Sequence, residues 1–134
     1  MTRSDIITLH SPLTAETKNA FGLEQFRRMK RTAWIINTSR GPVIHEEELL
    51  KALDEKLIAG AALDVLTKEP PEKSYIDQLT ARENLMITPH MGSWTWDARE
   101  DLQAKSADVA VRALVGQTPK HVVNPEVLVG GCLR

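Results

Sequence analysis

The sequence contains a single cysteine, Cys132, among its 134 residues. One cysteine cannot form an intrachain disulfide, so a disulfide-stapled scaffold is excluded, and we predict a reducing, cytoplasmic location. The sequence also has no excess of positive or negative charge, because it contains 17 Lys and Arg residues and 18 Asp and Glu residues. This balance argues against nucleic acid or an anionic membrane as the main partner.

Long apolar runs, internal repeats and low-complexity tracts are missing as well. The first ten residues, MTRSDIITLH, resemble neither a secretion signal nor a membrane span. What is present is the composition of an ordinary globular protein, with 42% hydrophobic and 26% charged residues. The length suits one domain, residues 1–134, with one hydrophobic core.

Short apolar runs alternate with helical patterns along the chain. The patterns predict strands at 6–9, 33–37, 58–65 and 85–88, helices at 23–29, 46–57 and 96–115, and an irregular tail. Apolar strands that are separated by helices are typical of parallel βαβ units. We therefore predict an α/β fold with a parallel sheet of about four strands, flanking helices and a long C-terminal helix.

Polar residues directly follow each predicted strand. His10 follows the first, the segment 37–41 (NTSRG) the second, Asp64 the third and His90 the fourth. The carboxyl ends of parallel strands lie along one edge of a sheet, where ligands bind in open α/β folds. We expect these four clusters to share that edge and to form a site.

Arg40 and Asp64 each allow two interpretations. Gly41 and Pro42 fix a tight turn behind Arg40, and a held guanidinium suits bidentate binding of a carboxylate. The alternative is an ordinary surface arginine. Asp64 suits either a turn or cap aspartate or an acceptor of hydrogen bonds from an amide ligand.

Glu69 and His90 are the other candidate pair, with a solvated loop acid and a structural histidine as the alternatives. Pro89 restricts the backbone before His90, and Gly92 permits close approach of a flat ligand. A nearby carboxylate would fix the tautomer of the imidazole and stabilise its protonated form. Such a pair, with an arginine, suits protonation of the carbonyl of a 2-oxo acid. No side chain donates hydride, so a nicotinamide cofactor would be needed.

Four segments carry a resemblance to a known family: SDIITLHSPLTAETKNAF, MKRTAWIINTSRGPVI, LIAGAALDVLTKEPP and ENLMITPHMGS. In this order and spacing they resemble the signature segments of the D-isomer-specific 2-hydroxyacid dehydrogenases, such as glyoxylate/hydroxypyruvate reductase and phosphoglycerate dehydrogenase. The resemblance covers residues 4–128. It implies an oxidoreductase that reduces 2-oxo acids to D-2-hydroxy acids, and the reverse, with NAD or NADP.

The resemblance also implies roles for individual residues. Arg40 would bind the substrate, Glu69 would pair with His90, and His90 would be the acid/base. Glu69 favours a hydroxyacid enzyme, since the related formate dehydrogenases usually have glutamine there. The residues implied to line the cofactor are His10, Pro12, Thr38, Ser39, Arg40, Asp64, His90 and Gly92, with Asp64 near the nicotinamide carboxamide. No metal is implied.

One family motif is not found in the sequence. None of the seven glycines forms the G-x-G-x-x-G phosphate loop, and the choice between NAD and NADP cannot be read. We therefore expect the chain to correspond to the second half of a Rossmann-type domain, with the glycine loop and substrate domain upstream. As an isolated fragment it would bind cofactor weakly and turn over little or nothing. Its first strand would be an open edge that favours homo-oligomers. The alternative function is a non-catalytic nucleotide-sensing or dimerisation module.

Overall fold

The computed structural model describes residues 1–129, apart from the side chains of Val127 and Val129. The chain divides into two compact units, Met1–Gly92 and Ser93–Arg134, and each is described by itself. Cys132 lies outside the described residues.

The first unit is built around a parallel sheet of four strands. The strands are β1 (Ile6–Leu9), β2 (Trp34–Asn37), β3 (Gly60–Leu63) and β4 (Leu85–Ile87), and they lie side by side in that order. All three neighbouring pairs are parallel. This sheet confirms the predicted α/β class, although three of its strands are shorter than the apolar runs suggested.

Three helices connect the strands: α1 (Leu23–Arg27), α2 (Glu46–Asp54) and α3 (Lys73–Thr80). A 3₁₀ turn, Gly41–Val43, precedes α2. The three glutamates in the first turn of α2 complement the helix dipole. The sequence patterns did not indicate α3, because the prolines and charges before it suggest a loop. Its apolar residues Ile76 and Leu79 nevertheless recur at helical spacing, and Leu79 is fully buried.

The hydrophobic core lies on one face of this sheet. Ile35, Ala61 and Leu85 align across three strands and are buried with residues of the helices such as Phe26 and Leu49. Burial of this apolar surface is the main stabilising contribution to the unit.

The opposite face of the sheet is exposed at several apolar positions within the described part of the chain. Ile6 is 62% exposed, Trp34 38% and Met86 62%. The ring of Trp34 lies over Gly60, where an added Cβ would come within 2.5 Å of it.

The second unit consists mainly of α4 (Trp96–Leu114), which confirms the predicted long helix. The side chain of Thr95 accepts a hydrogen bond from the Ala98 amide at 3.2 Å and so caps its start. The guanidinium of Arg99 lies 5.1 Å from the ring centre of Trp94 and 5.5 Å from that of Trp96. The tail predicted to be irregular contains one short helix, α5 (Glu126–Val129). No helix among residues 1–129 combines the length and apolar character needed to cross a membrane.

Candidate functional site

The candidate residues follow strands that end at the same level. The register pairs Leu9 with Asn37, Asn37 with Leu63, and Leu63 with Ile87. Because the strands are parallel, the residues that come next leave the sheet along one edge, which we call the carboxyl rim. The segments on this rim begin at His10, Thr38, Asp64 and Thr88.

Glu69 and His90 are in direct contact near this rim. The Nδ1 atom of His90 lies 2.6 Å from Oε2 of Glu69. The side chains of His90 and Glu69 are 50% and 35% exposed, respectively, so the pair is open to solvent on one side. Within the described part of the chain, Nε2 of His90 has no hydrogen-bond partner. The ring can therefore present Nε2 to a ligand while Glu69 holds Nδ1.

Glu69 is itself held by the backbone. Its Oε1 accepts a hydrogen bond from the Leu66 amide at 2.8 Å, and its bond to Pro70 is cis. Partial burial raises the pKa of Glu69, but the hydrogen bonds from Leu66 and His90 and the charge of His90 outweigh burial and place the pKa below its ordinary value. Glu69 is thus ionised at neutral pH, and its carboxylate can hold the imidazole at Nδ1.

Asp64 organises the turn that carries His90. Its Oδ1 accepts hydrogen bonds from the Thr88 hydroxyl at 2.5 Å and the Met91 amide at 2.9 Å, and its Oδ2 accepts one from the Gly92 amide at 2.8 Å. Burial raises the pKa of Asp64, but these three hydrogen bonds and the charge of His90 together lower it by more than burial raises it. The pKa of Asp64 therefore lies below its ordinary value. The structure thus gives Asp64 contacts within the turn, and its predicted contact with an amide ligand stays a prediction.

The turn forces His90 into an uncommon backbone conformation. Its φ is +51°, in the left-handed region that residues other than glycine seldom adopt. Such a conformation persists only when surrounding contacts stabilise it. Here the Asp64 carboxylate accepts hydrogen bonds from the amides of the next two residues, Met91 and Gly92. Gly92 has no room for a side chain, because a Cβ there would lie 2.9 Å from Oδ2 of Asp64.

Arg40 lies in the loop after β2. Its side chain is exposed, and its Nη1 donates a hydrogen bond to the carbonyl of Ser39 at 2.7 Å. Among residues 1–129 it forms no ion pair, so the guanidinium is available to an anion. The loop continues into Gly41, which packs so tightly that an added Cβ would lie 2.1 Å from the backbone carbon of Leu66. The Arg40 loop and the segment that binds Glu69 are therefore in contact.

The remaining predicted residues are placed as follows. His10 is exposed, and its Nε2 lies 2.9 Å from the Thr8 hydroxyl. Pro12 is exposed, and its carbonyl accepts a hydrogen bond from Thr17. Thr38 is exposed, and its Cβ lies 3.9 Å from the position that a Cβ on Gly92 would occupy. In the described chain, no hydrogen bond links His10 or Pro12 to the Glu69–His90 pair.

The candidate residues line an open rim rather than an enclosed cavity. A groove of about 720 Å³ lies on another part of the same unit, where Lys18, His45, Glu46 and Tyr75 contribute to its walls. Arg40, Glu69 and His90 are not among the residues that line it. Tyr75 donates a hydrogen bond to Glu46 at 2.7 Å, and burial, with this bond, raises the pKa of its hydroxyl.

Comparison with known proteins agrees with this geometry. Residues 1–92 match the family described as D-isomer specific 2-hydroxyacid dehydrogenase, NAD binding domain. A glyoxylate reductase of Thermofilum pendens is 44% identical over 126 residues, which cover 94% of this chain and 37% of that reductase. A D-3-phosphoglycerate dehydrogenase of Arabidopsis thaliana is 42% identical over 130 residues, covering 93% of this chain and 20% of that protein.

Solved structures share the fold. A D-isomer specific 2-hydroxyacid dehydrogenase from Lactobacillus delbrueckii ssp. bulgaricus, in its NAD-complexed form, superposes with a TM-score of 0.78 at 30% identity, over 92% of this chain and 40% of that chain. The TT0316 protein of Thermus thermophilus superposes with a TM-score of 0.84 at 35% identity, over 91% and 38%. The chain spans well under half the length of these relatives.

Proposed function

Since the chain belongs to the D-isomer-specific 2-hydroxyacid dehydrogenase family through that family's NAD-binding domain, we propose that it serves in the NAD(P)-dependent interconversion of a small 2-oxo acid and its D-2-hydroxy acid. The observation that carries the proposal is the 2.6 Å hydrogen bond between His90 and Glu69 beside the carboxyl rim. A solvent-facing imidazole with an ionised carboxylate behind it suits proton transfer to a ligand.

His90 is the proposed acid/base. In the reducing direction its Nε2 donates a proton to the carbonyl oxygen of the 2-oxo acid, and in the oxidising direction the same atom accepts the proton of the hydroxyl. Glu69 accepts a hydrogen bond from Nδ1, which keeps the proton of the neutral ring on Nδ1 and leaves Nε2 to the ligand. The arrangement lets the imidazole change its protonation state without losing its orientation.

Arg40 is the proposed ligand of the substrate carboxylate. Its guanidinium is exposed and unpaired by any acid in residues 1–129, and guanidinium binds carboxylate with two parallel hydrogen bonds. Binding at Arg40 would orient the oxo acid for protonation at His90.

The rim suits the nicotinamide end of the cofactor. Hydride transfer is the chemistry that a bound nicotinamide supplies. Asp64 holds the Gly92 amide beside the rim and so fixes the backbone against which a flat ring would lie. We place Thr38, Ser39, Asp64 and Gly92 along this end, with His10 and Pro12 further along the rim. The sequence has no G-x-G-x-x-G motif for the diphosphate, so we propose weak cofactor binding and little turnover by this chain alone.

A binding and activity assay tests the proposal. NADH or NADPH should quench the tryptophan fluorescence of the chain with a saturable midpoint, and oxamate, an analogue of a 2-oxo acid, should shift that midpoint to lower concentration. The variant Arg40→Met should abolish the oxamate effect. A flat fluorescence response would contradict cofactor binding. Measurable reduction of glyoxylate or hydroxypyruvate would contradict the proposed low activity of the chain.

A dimerisation module is the second candidate function. It is favoured by β1, which is an edge strand of the described sheet, and by the exposed apolar residues Ile6, Trp34 and Met86 on one sheet face. We propose a homo-oligomer on this basis, and a cytoplasmic location from the cysteine content. Sedimentation velocity that shows a monomer across the micromolar range would contradict the oligomer.

A further inference from the structure

Asn37 is a buried polar residue for which neither the catalytic roles nor the cofactor site provides a use. It ends β2, three residues before Arg40, and it is 0% exposed. In the described residues, only Asn37 and Asp64 are buried polar or charged side chains. A buried amide without hydrogen bonds would be costly, so its partners show what it holds.

Among the described residues, the Asn37 side chain forms hydrogen bonds with the Arg40 loop alone. Its Oδ1 accepts from the Ser39 amide at 3.0 Å and from the Ser39 hydroxyl at 2.8 Å. Its Nδ2 donates to the Arg40 carbonyl at 2.9 Å. One amide therefore holds the Thr38–Ser39 peptide and the Ser39 hydroxyl before Arg40, and the Arg40–Gly41 peptide after it.

The loop is held on its far side as well. The Arg40 carbonyl also accepts the Val43 amide at 3.1 Å, which closes the 3₁₀ turn. Gly41 abuts the Leu66 backbone, and the Leu66 amide binds Glu69. The Arg40 backbone is thus set between the buried amide of Asn37 and the segment that positions the Glu69–His90 pair.

We propose that Asn37 is a positioning residue for Arg40, whose buried amide fixes the guanidinium for carboxylate binding. The proposal rests on the proposed function of Arg40. Bidentate binding is sensitive to orientation, so a loop that is free to rotate would bind a carboxylate more weakly even if the chain stayed folded. A merely structural Asn37 would alter unfolding without altering anion binding.

The test uses the 134-residue chain with oxalate as the probe, followed by NMR at the Arg40 Nε–Hε group. In Asn37→Asp, the ionised carboxylate cannot donate to the Arg40 carbonyl, and at pH 7.5 we expect oxalate affinity to fall by about tenfold or more, which is about 1.4 kcal/mol. Ile35→Val is the matched control. It removes one buried methylene from the same strand and should keep wild-type affinity.

The uncharged variant Asn37→Ser separates loss of the hydrogen bond from added charge. Its hydroxyl cannot reach the Arg40 carbonyl, and it places no new carboxylate near the guanidinium. We expect it also to bind oxalate about tenfold more weakly than the wild type at pH 7.5, and it replaces Asn37→Asp if that variant does not fold. A role confined to folding would alter the unfolding of both variants and leave their oxalate affinity at the wild-type value.

The outcomes separate the two proposals. Wild-type oxalate affinity in both Asn37 variants at pH 7.5, or an equal loss in Ile35→Val, would overturn the positioning role. If the wild type binds no oxalate at Arg40, the carboxylate role of Arg40 is refuted. In that event Asn37 cannot position Arg40 for a carboxylate, and hydrogen exchange of the Val43 amide tests only whether Asn37 holds the Arg40 backbone. Faster exchange in the Asn37 variants than in Ile35→Val would show that hold, and unchanged exchange would show that the hydrogen bonds of Asn37 do not fix the loop.

Discussion

Replacing Asp64 by asparagine should release the turn that carries His90. The carboxylate of Asp64 accepts hydrogen bonds from the Thr88 hydroxyl and from the amides of Met91 and Gly92. Asparagine has nearly the same size, but its NH₂ group cannot accept a hydrogen bond. In either orientation of the amide, one backbone N–H would face another donor.

The magnitude follows from the three bonds. A hydrogen bond to a charged group contributes about 1.5–3 kcal/mol, and a neutral bond about 0.5–1.5 kcal/mol. Losing one ionic bond and converting the others to neutral bonds should therefore cost about 3 kcal/mol of local stability. This corresponds to roughly a hundredfold increase in opening of the turn. Without that grip, the positive φ of His90 is no longer stabilised, and its bond to Glu69 should weaken.

Hydrogen exchange of the Met91 and Gly92 amides measures this opening. We expect both amides of Asp64→Asn to exchange roughly a hundredfold faster than in the wild type. Asp77→Asn is the matched control, since Asp77 is exposed on α3 and, within residues 1–129, its carboxylate pairs with Lys73 alone. The control should change stability by less than about 0.5 kcal/mol. Wild-type exchange at both amides in a folded Asp64→Asn chain would refute the role assigned to Asp64.

Three further predictions concern the same rim. Folding lowers the pKa of Asp64 below its ordinary value of 3.8. The stability that Asp64 contributes is therefore complete above pH 3.8 and is lost as the pH falls through the lower pKa of the folded chain. Hydrogen exchange of the Gly92 amide in acid would measure this loss. His90→Asn should raise the pKa of Glu69, because the imidazole hydrogen bond and charge lower it, and carboxyl ¹³C titration would measure the rise. Gly41→Ala should cost about 3 kcal/mol or more in chemical denaturation, since the new methyl would overlap the Leu66 backbone.

Each of these has its own contrary result. A Gly92 amide that keeps its protection after the Asp64 carboxyl group has become protonated would contradict the acid effect. An unchanged Glu69 titration in His90→Asn would show that the pair is not formed in solution. Gly60→Ala is the control for Gly41→Ala, because the three atoms nearest to its methyl all belong to the ring of Trp34, a side chain that can move. Equal destabilisation by both substitutions would contradict the backbone overlap.

The architecture was predictable because its signals are local. Apolar runs of four to eight residues, separated by helical patterns, define a parallel sheet, and all four strands lie within the predicted runs. The third run, 58–65, is longer than β3 (Gly60–Leu63), because Ile58 and Val65 are buried in the connections to the sheet rather than in it. Helix α3 was missed, since only Ile76 and Leu79 indicated it.

The site was predictable in part. The apolar runs indicated that Arg40 and His90 would lie at the same edge of one sheet, and the family resemblance suggested Glu69 as the partner of His90. The roles of Arg40, Glu69 and His90 in catalysis remain predictions. The hydrogen bonds from the Met91 and Gly92 amides to Asp64 join residues that are 27 and 28 positions apart in the sequence. No local sequence pattern indicates a contact over that separation. The hydrogen bonds of Asn37 are short in sequence, but its complete burial depends on the tertiary structure.

A crystal structure of the chain with NADH and oxamate would test the central claim most directly. The account predicts the oxamate carboxylate on the guanidinium of Arg40 and its carbonyl oxygen within hydrogen-bond distance of Nε2 of His90, with Nδ1 still bound to Glu69. Oxamate bound away from Arg40, or an imidazole that has left Glu69 to contact another group, would contradict it.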